Sequence, residues 1–163
     1  MKIKNILLMF MLSFAILNAN SFVKLQKPIK ATNITLKNVD GITKSLDMYK
    51  GKKIILNFWA SWCPPCKREM PSLQKFYSLY KNNVSVIAVA SGQSEDDVFP
   101  FISQMKIEPT FEILYDEQQI ASINYNIQAM PTSFIINKDG YITHYAIGEI
   151  DFMDKSFIDL ILK

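Results

Sequence analysis

The segment Asn57-Phe58-Trp59-Ala60-Ser61-Trp62-Cys63-Pro64-Pro65-Cys66-Lys67-Arg68-Glu69-Met70-Pro71 decides the fold. It is the end of one regular element and the start of another. On its N-terminal side, Ile54-Ile55-Leu56-Asn57-Phe58-Trp59 is a mostly apolar run of strand length. Such continuity suits a central strand covered on both faces. On its C-terminal side, Met70, Leu73, Phe76, Tyr77 and Tyr80 recur at spacings of three and four, which predicts a helix with one apolar face. Pro64 and Pro65 fit the first turn, where backbone N–H groups have no partner inside the helix. Pro71 lies inside the pattern and predicts a kink. Cys63 therefore stands at a strand-to-helix junction, with Cys66 one turn later.

Outward from this junction, strands and helices alternate. Val84 to Ala90 reads as a second central strand. Ser94-Glu95-Asp96-Asp97 reads as a helix start with acidic residues in its first turn, and Val98, Phe101, Ile102 and Met105 supply the buried face. Phe111 to Tyr115 is a short strand, and Glu117 to about Asn124 a short helix. Thr132 to Ile136 and Tyr141 to Ile147 are strands joined by Asn137-Lys138-Asp139-Gly140. Phe152 to Leu162 closes as a helix. Upstream, Ile34-Thr35-Leu36 and Ile42 to Leu46 flank Asn38-Val39-Asp40-Gly41, a hairpin signal. Residues 22–33 read as an irregular lead-in containing Pro28. The order is a β-hairpin followed by β-α-β-α-β-α-β-β-α. It predicts an α/β fold over residues 34–163: a mixed central sheet flanked by helices, largely parallel, with an antiparallel hairpin at one edge and an N-terminal β-hairpin extension.

Residues 1–21 read as a secretory signal. Lys2 and Lys4 make a basic start, and Ile6 to Leu17 is apolar except for Ser13. Ala19 and Ser21 are small residues at the spacing a signal peptidase accepts. As a helix the apolar run measures roughly 18 Å, short of a ~30 Å hydrocarbon core, so cleavage is favoured over an uncleaved anchor. The expected location is periplasmic or otherwise extracytoplasmic, with an uncleaved anchor as the one route to a membrane. No cysteine near residue 20 is available for lipid attachment. The formal charge of +3 falls to +1 without Lys2 and Lys4, since 3 − 2 = 1, which gives no reason to expect nucleic acid as a partner. With 49% hydrophobic residues the chain can bury a full core.

The chain has 2 cysteines, and both lie in one Cys-x-x-Cys. A bridge between residues three apart closes a very short loop and removes little entropy from the unfolded chain, so stapling is a poor explanation. Dithiol exchange is a better one. It needs two sulfurs close enough to bond and one that ionises readily. At a helix start, the helix dipole and free N–H groups favour a negative Cys63 sulfur. Cys66, inside the helix and better covered, then resolves the mixed disulfide. Neither Pro64 nor Pro65 offers an N–H, so the Cys63 thiolate relies on Cys66 and beyond. A less depressed pKa favours a reductant over a strong oxidant.

The 57–71 segment, together with Met130-Pro131-Thr132-Ser133-Phe134-Ile135-Ile136-Asn137-Lys138-Asp139-Gly140, resembles the thioredoxin superfamily. The match is closest to the TlpA/ResA/CcmG group of extracytoplasmic thiol–disulfide reductases. It covers about residues 30–163. The resemblance implies a thioredoxin fold and a cis Met130–Pro131 bond facing the cysteines, in a loop that offers backbone groups to an extended substrate. Met130, Pro131 and Thr132 are accordingly substrate-binding candidates, with Trp62, Pro64 and Pro65. Thioredoxins carry a buried Asp where this chain has Asn57, and Asn cannot exchange a proton. In the resembling group a Glu at the position of Glu69 lies near the dithiol. Glu69 is therefore the candidate acid/base for the proton of Cys66, with a pKa raised by burial. Trp59 reads as core, Lys67 and Arg68 as solvated helix charges, and His144 as a surface or packing residue.

Other chemistries lack their residues. The peroxidase pattern Pro-x-x-x-Thr/Ser-x-x-Cys finds Leu56 and Ala60 ahead of Cys63. A copper carrier of the Sco type needs Cys-x-x-x-Cys with a His. Haem attachment needs a His where Lys67 stands, and zinc needs two more soft ligands. No metal and no cofactor beyond the Cys63–Cys66 pair is expected. The expected partners are protein thiols and disulfides, with a membrane thiol reductase as electron donor. A reductase, acting for instance in cytochrome c maturation, is the first reading. An oxidase or isomerase of secreted proteins, and a non-redox chaperone, are the alternatives.

Overall fold

The computed structural model describes residues 21–163. The signal reading of residues 1–21 falls, apart from Ser21, outside them. Among the described residues no helix is long and apolar enough to cross a membrane.

Among the described residues eight strands form one sheet: β1 (Val23–Lys30), β2 (Thr35–Lys37), β3 (Thr43–Ser45), β4 (Lys53–Trp59), β5 (Val84–Ser91), β6 (Glu112–Asp116), β7 (Thr132–Ile136) and β8 (Tyr141–Ile147). Their spatial order is β1-β8-β7-β4-β5-β6-β2-β3. The helices are α1 (Pro64–Tyr80), α2 (Glu95–Ile102), α3 (Ile120–Asn124) and α4 (Lys155–Leu162). The thioredoxin-type α/β architecture is as expected. β4 is central, and all its residues but Lys53 are buried. Its alternation divides the core in two. Ile55 and Trp59 join the cluster that includes Met70, Leu73 and Phe76 of α1 and Phe157 and Ile161 of α4. Ile54, Leu56 and Phe58 join Ile87, Leu114 and Ala121 on the other face.

Three expectations are corrected. The sheet is mixed, as expected, but not largely parallel: only β4, β5 and β6 run parallel, and β7, β8 and β1 continue antiparallel on the other side. Residues 22–33 are not an irregular lead-in, because Val23–Lys30 form an edge strand against β8. The register shifts between Lys24 and Ile29, and only Leu25 in the strand is even half-buried. Lysines and Pro28 suit an edge that must not recruit further strands, and they hide its strand character. Finally, α2 ends at Ile102, where the Ser103 N–H bonds the Phe99 carbonyl. Only Val98 of its expected face is fully buried, with Phe101, Ile102 and Met105 packed half-covered against the core.

The N-terminal hairpin forms as expected, and its turn repeats the chemistry of the β7–β8 turn. In each, an Asn side-chain oxygen accepts two backbone N–H groups, from Asp40 and Ile42 or from Asp139 and Tyr141. In each, a glycine supplies the positive φ, +68° at Gly41 and +84° at Gly140. The hairpin meets the main sheet through one residue pair, Lys37 with Tyr115. Ile34, Leu46 and the half-buried Leu36 pack into the core beside it, and Glu112 adds a polar hold, accepting from Asn38 Nδ2 at 3.0 Å and Tyr49 OH at 2.9 Å, with Lys44 Nζ at 3.7 Å. Glu112→Ala takes its 2.9 Å acceptor from the half-buried Tyr49 hydroxyl and leaves the buried Asn38 amide only the longer bond to Asp40 at 3.5 Å. We expect a loss of about 1–2 kcal/mol, with faster amide exchange confined to residues 35–45. Unchanged exchange there would show that packing alone holds the hairpin.

Candidate active site

β4 ends at Trp59, and the chain turns through Ala60–Trp62 into α1. Gln93, which follows β5 and is buried, grips that turn. Its Oε1 accepts the Ser61 N–H at 2.6 Å and its Nε2 donates to Ser61 Oγ at 2.8 Å. Ser61 Oγ in turn donates to the Asp97 carbonyl at 3.0 Å. Nothing in the sequence marked Gln93.

Cys63 is the N-cap of α1, in extended backbone with φ −88° and ψ 110°. Its sulfur accepts the N–H of Cys66 at 3.4 Å. Pro64 and Pro65 occupy the first turn, as expected. The two sulfurs form a disulfide, with Cα atoms 5.3 Å apart. Cys66 is fully buried, whereas Cys63 keeps 4% of its surface exposed. That surface opens into a groove of about 360 Å³ lined by Trp62, Cys63, Pro64, Pro65, Ile127, Gln128, Ala129 and Met130, none of them ionisable apart from Cys63 itself. Trp62 is 66% exposed, a large apolar surface beside the sulfur.

Across the groove the Met130–Pro131 bond is cis. The Met130 carbonyl oxygen lies 3.6 Å from Cys63 Sγ. Thr132 departs from the expectation of a groove residue. It is buried, and its hydroxyl donates to the Ala129 carbonyl at 2.7 Å, bracing the loop from within. The structure thus gathers Trp62, Pro64, Pro65 and Met130 around Cys63, with Pro131 buried behind them.

Glu69, one turn beyond Cys66, is 1% exposed. The expectation of a buried carboxyl holds. Asn57 Nδ2 donates to its Oε1 at 2.8 Å, and the Ile150 N–H donates to its Oε2 at 3.0 Å. Burial pushes its pKa up to about 7. The two hydrogen bonds oppose the rise, and the Glu149 charge adds to it. Glu149 is itself paired with Arg68 at 2.6 Å. Sequence reasoning did not reach Ile150 or the Arg68–Glu149 pair, which depend on the loop that meets α1, or Ser133 of β7, whose Oγ accepts from Asn57 Nδ2 at 2.9 Å. The one available signal was a polar Asn57 in the middle of an apolar strand. Lys67 is exposed, with its Nζ 5.3 Å from the centre of the Phe101 ring. Trp59 is fully buried. His144 sits on β8, opposite Lys24 of the edge strand, where burial, Lys24 and Lys53 depress its pKa. Among the described residues no group of three or more His, Cys, Asp or Glu is placed to hold a metal ion.

The chain as a whole is similar to known proteins. The sequence profile of the redoxin family matches residues 26–158. Thioredoxin-like protein YneN of Bacillus subtilis is 36% identical over 129 residues, covering 77% of this chain and 74% of YneN. Thiol-disulfide oxidoreductase ResA of Bacillus anthracis is 35% identical over 127 residues, 77% of this chain and 72% of ResA. The crystal structure of a DsbE-type thiol:disulfide interchange protein from Chlorobium tepidum superposes with a TM-score of 0.76 at 28% identity, covering 85% of this chain and 96% of that one. With its cysteine pair closed at the head of α1, the chain belongs to the redoxin family, among the thioredoxin-fold thiol–disulfide oxidoreductases.

Proposed function

We propose that this chain is an extracytoplasmic protein disulfide reductase. In the forward reaction the Cys63 thiolate attacks a client disulfide and expels one client thiolate. Cys66 then attacks Cys63 in the mixed disulfide and releases the second. The client gains two electrons, and the enzyme is left with the Cys63–Cys66 disulfide. A membrane thiol reductase restores the dithiol, and the two sulfurs need no bound cofactor. The signal-like residues 1–21 support the location.

One observation carries the direction. Among the described residues Cys63 Sγ receives a single backbone N–H, that of Cys66. The next N–H, from Lys67, is committed to the Cys63 carbonyl at 3.1 Å. The nearest helix cations are also engaged elsewhere, Arg68 with Glu149 and Lys67 over Phe101. A thiolate so thinly supported favours oxidation of the dithiol, which is what a reductant requires. Equilibration with a glutathione or dithiothreitol redox buffer tests this. The expected potential is near the thioredoxin value of about −270 mV, and one near the oxidase value of about −120 mV would assign the chain to disulfide formation.

Glu69 takes the proton of Cys66 as that sulfur becomes the second nucleophile. Trp62, Pro64, Pro65 and the Met130–Pro131 loop receive the client. The uncharged groove suits an extended apolar segment around the client cysteine. Such clients include wrongly oxidised secreted proteins and the cysteine pair of apocytochrome c. Trp62→Ala should raise KM for a protein disulfide about tenfold, the loss of one exposed aromatic contact, and leave reduction of a small aromatic disulfide unchanged. Equal effects on both substrates would remove Trp62 from client binding.

A further inference from the structure

Both donors on Glu69, the Asn57 amide and the Ile150 N–H, match an ionised carboxylate. Once the carboxyl takes up a proton, it gains a hydrogen that needs an acceptor, and neither donor as now placed supplies one. Ile150 offers a backbone group that cannot turn. Asn57 offers a primary amide, which presents either hydrogens or a carbonyl oxygen.

Two further observations fit an amide that turns. Asn57 Oδ1 is buried and has no hydrogen-bond partner among the described residues, so an acceptor stands in reserve on the same planar group. The second anchor of the amide is Ser133 Oγ, 2.9 Å from Nδ2. A hydroxyl accepts from an amide N–H or donates to an amide oxygen, so Ser133 serves both orientations.

We propose that Asn57 is a positioning residue for Glu69: its amide donates to the carboxylate when Glu69 is ionised and turns to accept from the carboxyl O–H when Glu69 is protonated. This rests on the reading of Glu69 as the proton carrier. The turned state leaves Nδ2 where Oδ1 now lies, without a partner. A lone buried donor is rarer and worse than a lone carbonyl, so the donating orientation holds whenever Glu69 is charged. The surrounding charges are few. Glu149, from the β8–α4 loop, favours the proton, and Arg68 of α1 pairs with Glu149. β4 and β7 contribute Asn57 and Ser133, neither of which titrates. An Asp at position 57 would add a second titration; an Asn follows the first.

Side-chain NMR of the oxidised protein across pH 4–10 tests this. The Glu69 carboxyl carbon and the Asn57 side-chain amide nitrogen and hydrogens are followed together. The Asn57 signals should move with the midpoint of Glu69, about 7. In Asn57→Ala the Glu69 midpoint should rise, as a carboxylate that loses a donor does, and the inflection of the thiol-exchange pH profile should move up with it. Asn57 signals that stay flat through the Glu69 transition overturn the proposal. They do so in the unaltered protein, whether or not Asn57→Ala folds. A Glu69 midpoint unmoved in a folded Asn57→Ala also overturns it. The role of Glu69 in exchange is read separately, from the rates of Glu69→Gln, so the two claims fail independently.

Discussion

Cys63→Ser brings thiol–disulfide exchange down to the uncatalysed background, while Cys66→Ser leaves the first step running and stalls the second. The thiolate is the nucleophile, and a serine hydroxyl does not ionise in the accessible pH range. Cys63 is the sulfur that reaches the groove, so its loss removes the attack itself. Cys66 is fully covered and its sulfur is bonded to that of Cys63, so its loss removes the release. Cys66→Ser therefore accumulates client proteins as mixed disulfides on Cys63, and identifying them names the clients. Exchange surviving in Cys63→Ser, or adducts failing to accumulate in Cys66→Ser, would reverse or abolish the assignment.

The second large effect belongs to Glu69→Gln and has two readouts. Glu69 holds its proton up to about pH 7 when folded, against an ordinary value of 4.5. Between those values the folded state keeps a proton that the unfolded chain has lost, so stability falls as pH rises. The contribution is whole below about 4.5 and gone above about 7, and it amounts to about 3 kcal/mol. Glutamine carries no such titration. Urea unfolding of the oxidised protein at pH 4 and pH 8 should show that this loss occurs in the native chain and is absent from Glu69→Gln. All other ionisable groups are common to both proteins and cancel in the comparison. In kinetics, resolution of the mixed disulfide should slow about a hundredfold, the scale of one general acid/base, and its inflection near pH 7 should vanish. Parallel stability curves and parallel rate profiles for the two proteins would remove Glu69 from the proton path.

The strand–turn–helix that carries the cysteines was readable because its signals are local. A six-residue apolar run, two prolines at a helix start and an i, i+3, i+4 apolar face leave few alternatives. The two Asn-x-Asp-Gly turns were readable for the same reason. β1 was not. It is a solvent-facing edge strand with lysines at 24, 27 and 30 and a proline at 28, held by pairing with β8, and its own side chains bury almost nothing. Strand direction was also hidden. Periodicity marks β7 as a strand, but whether it runs with or against β4 is set by the path of the chain through α3 and the 125–131 loop. At the site, Cys63, Cys66 and the buried Glu69 could be reached from one contiguous motif. Ile150, Ser133 and Gln93 could not, because each arrives from a distant loop or strand and acts through only one or two hydrogen bonds. The bracing role of the Thr132 hydroxyl was not readable, because its neighbours in sequence, Met130 and Pro131, belong to the loop, whereas Thr132 already belongs to β7, with its hydroxyl turned back to Ala129.

The division of labour between the sulfurs is tested most directly by pulse alkylation of the reduced protein with iodoacetamide, followed by peptide mass mapping. Modification should appear on Cys63 first, with Cys66 labelled only after unfolding. Labelling of Cys66 at an equal or faster rate in the folded protein would contradict the account.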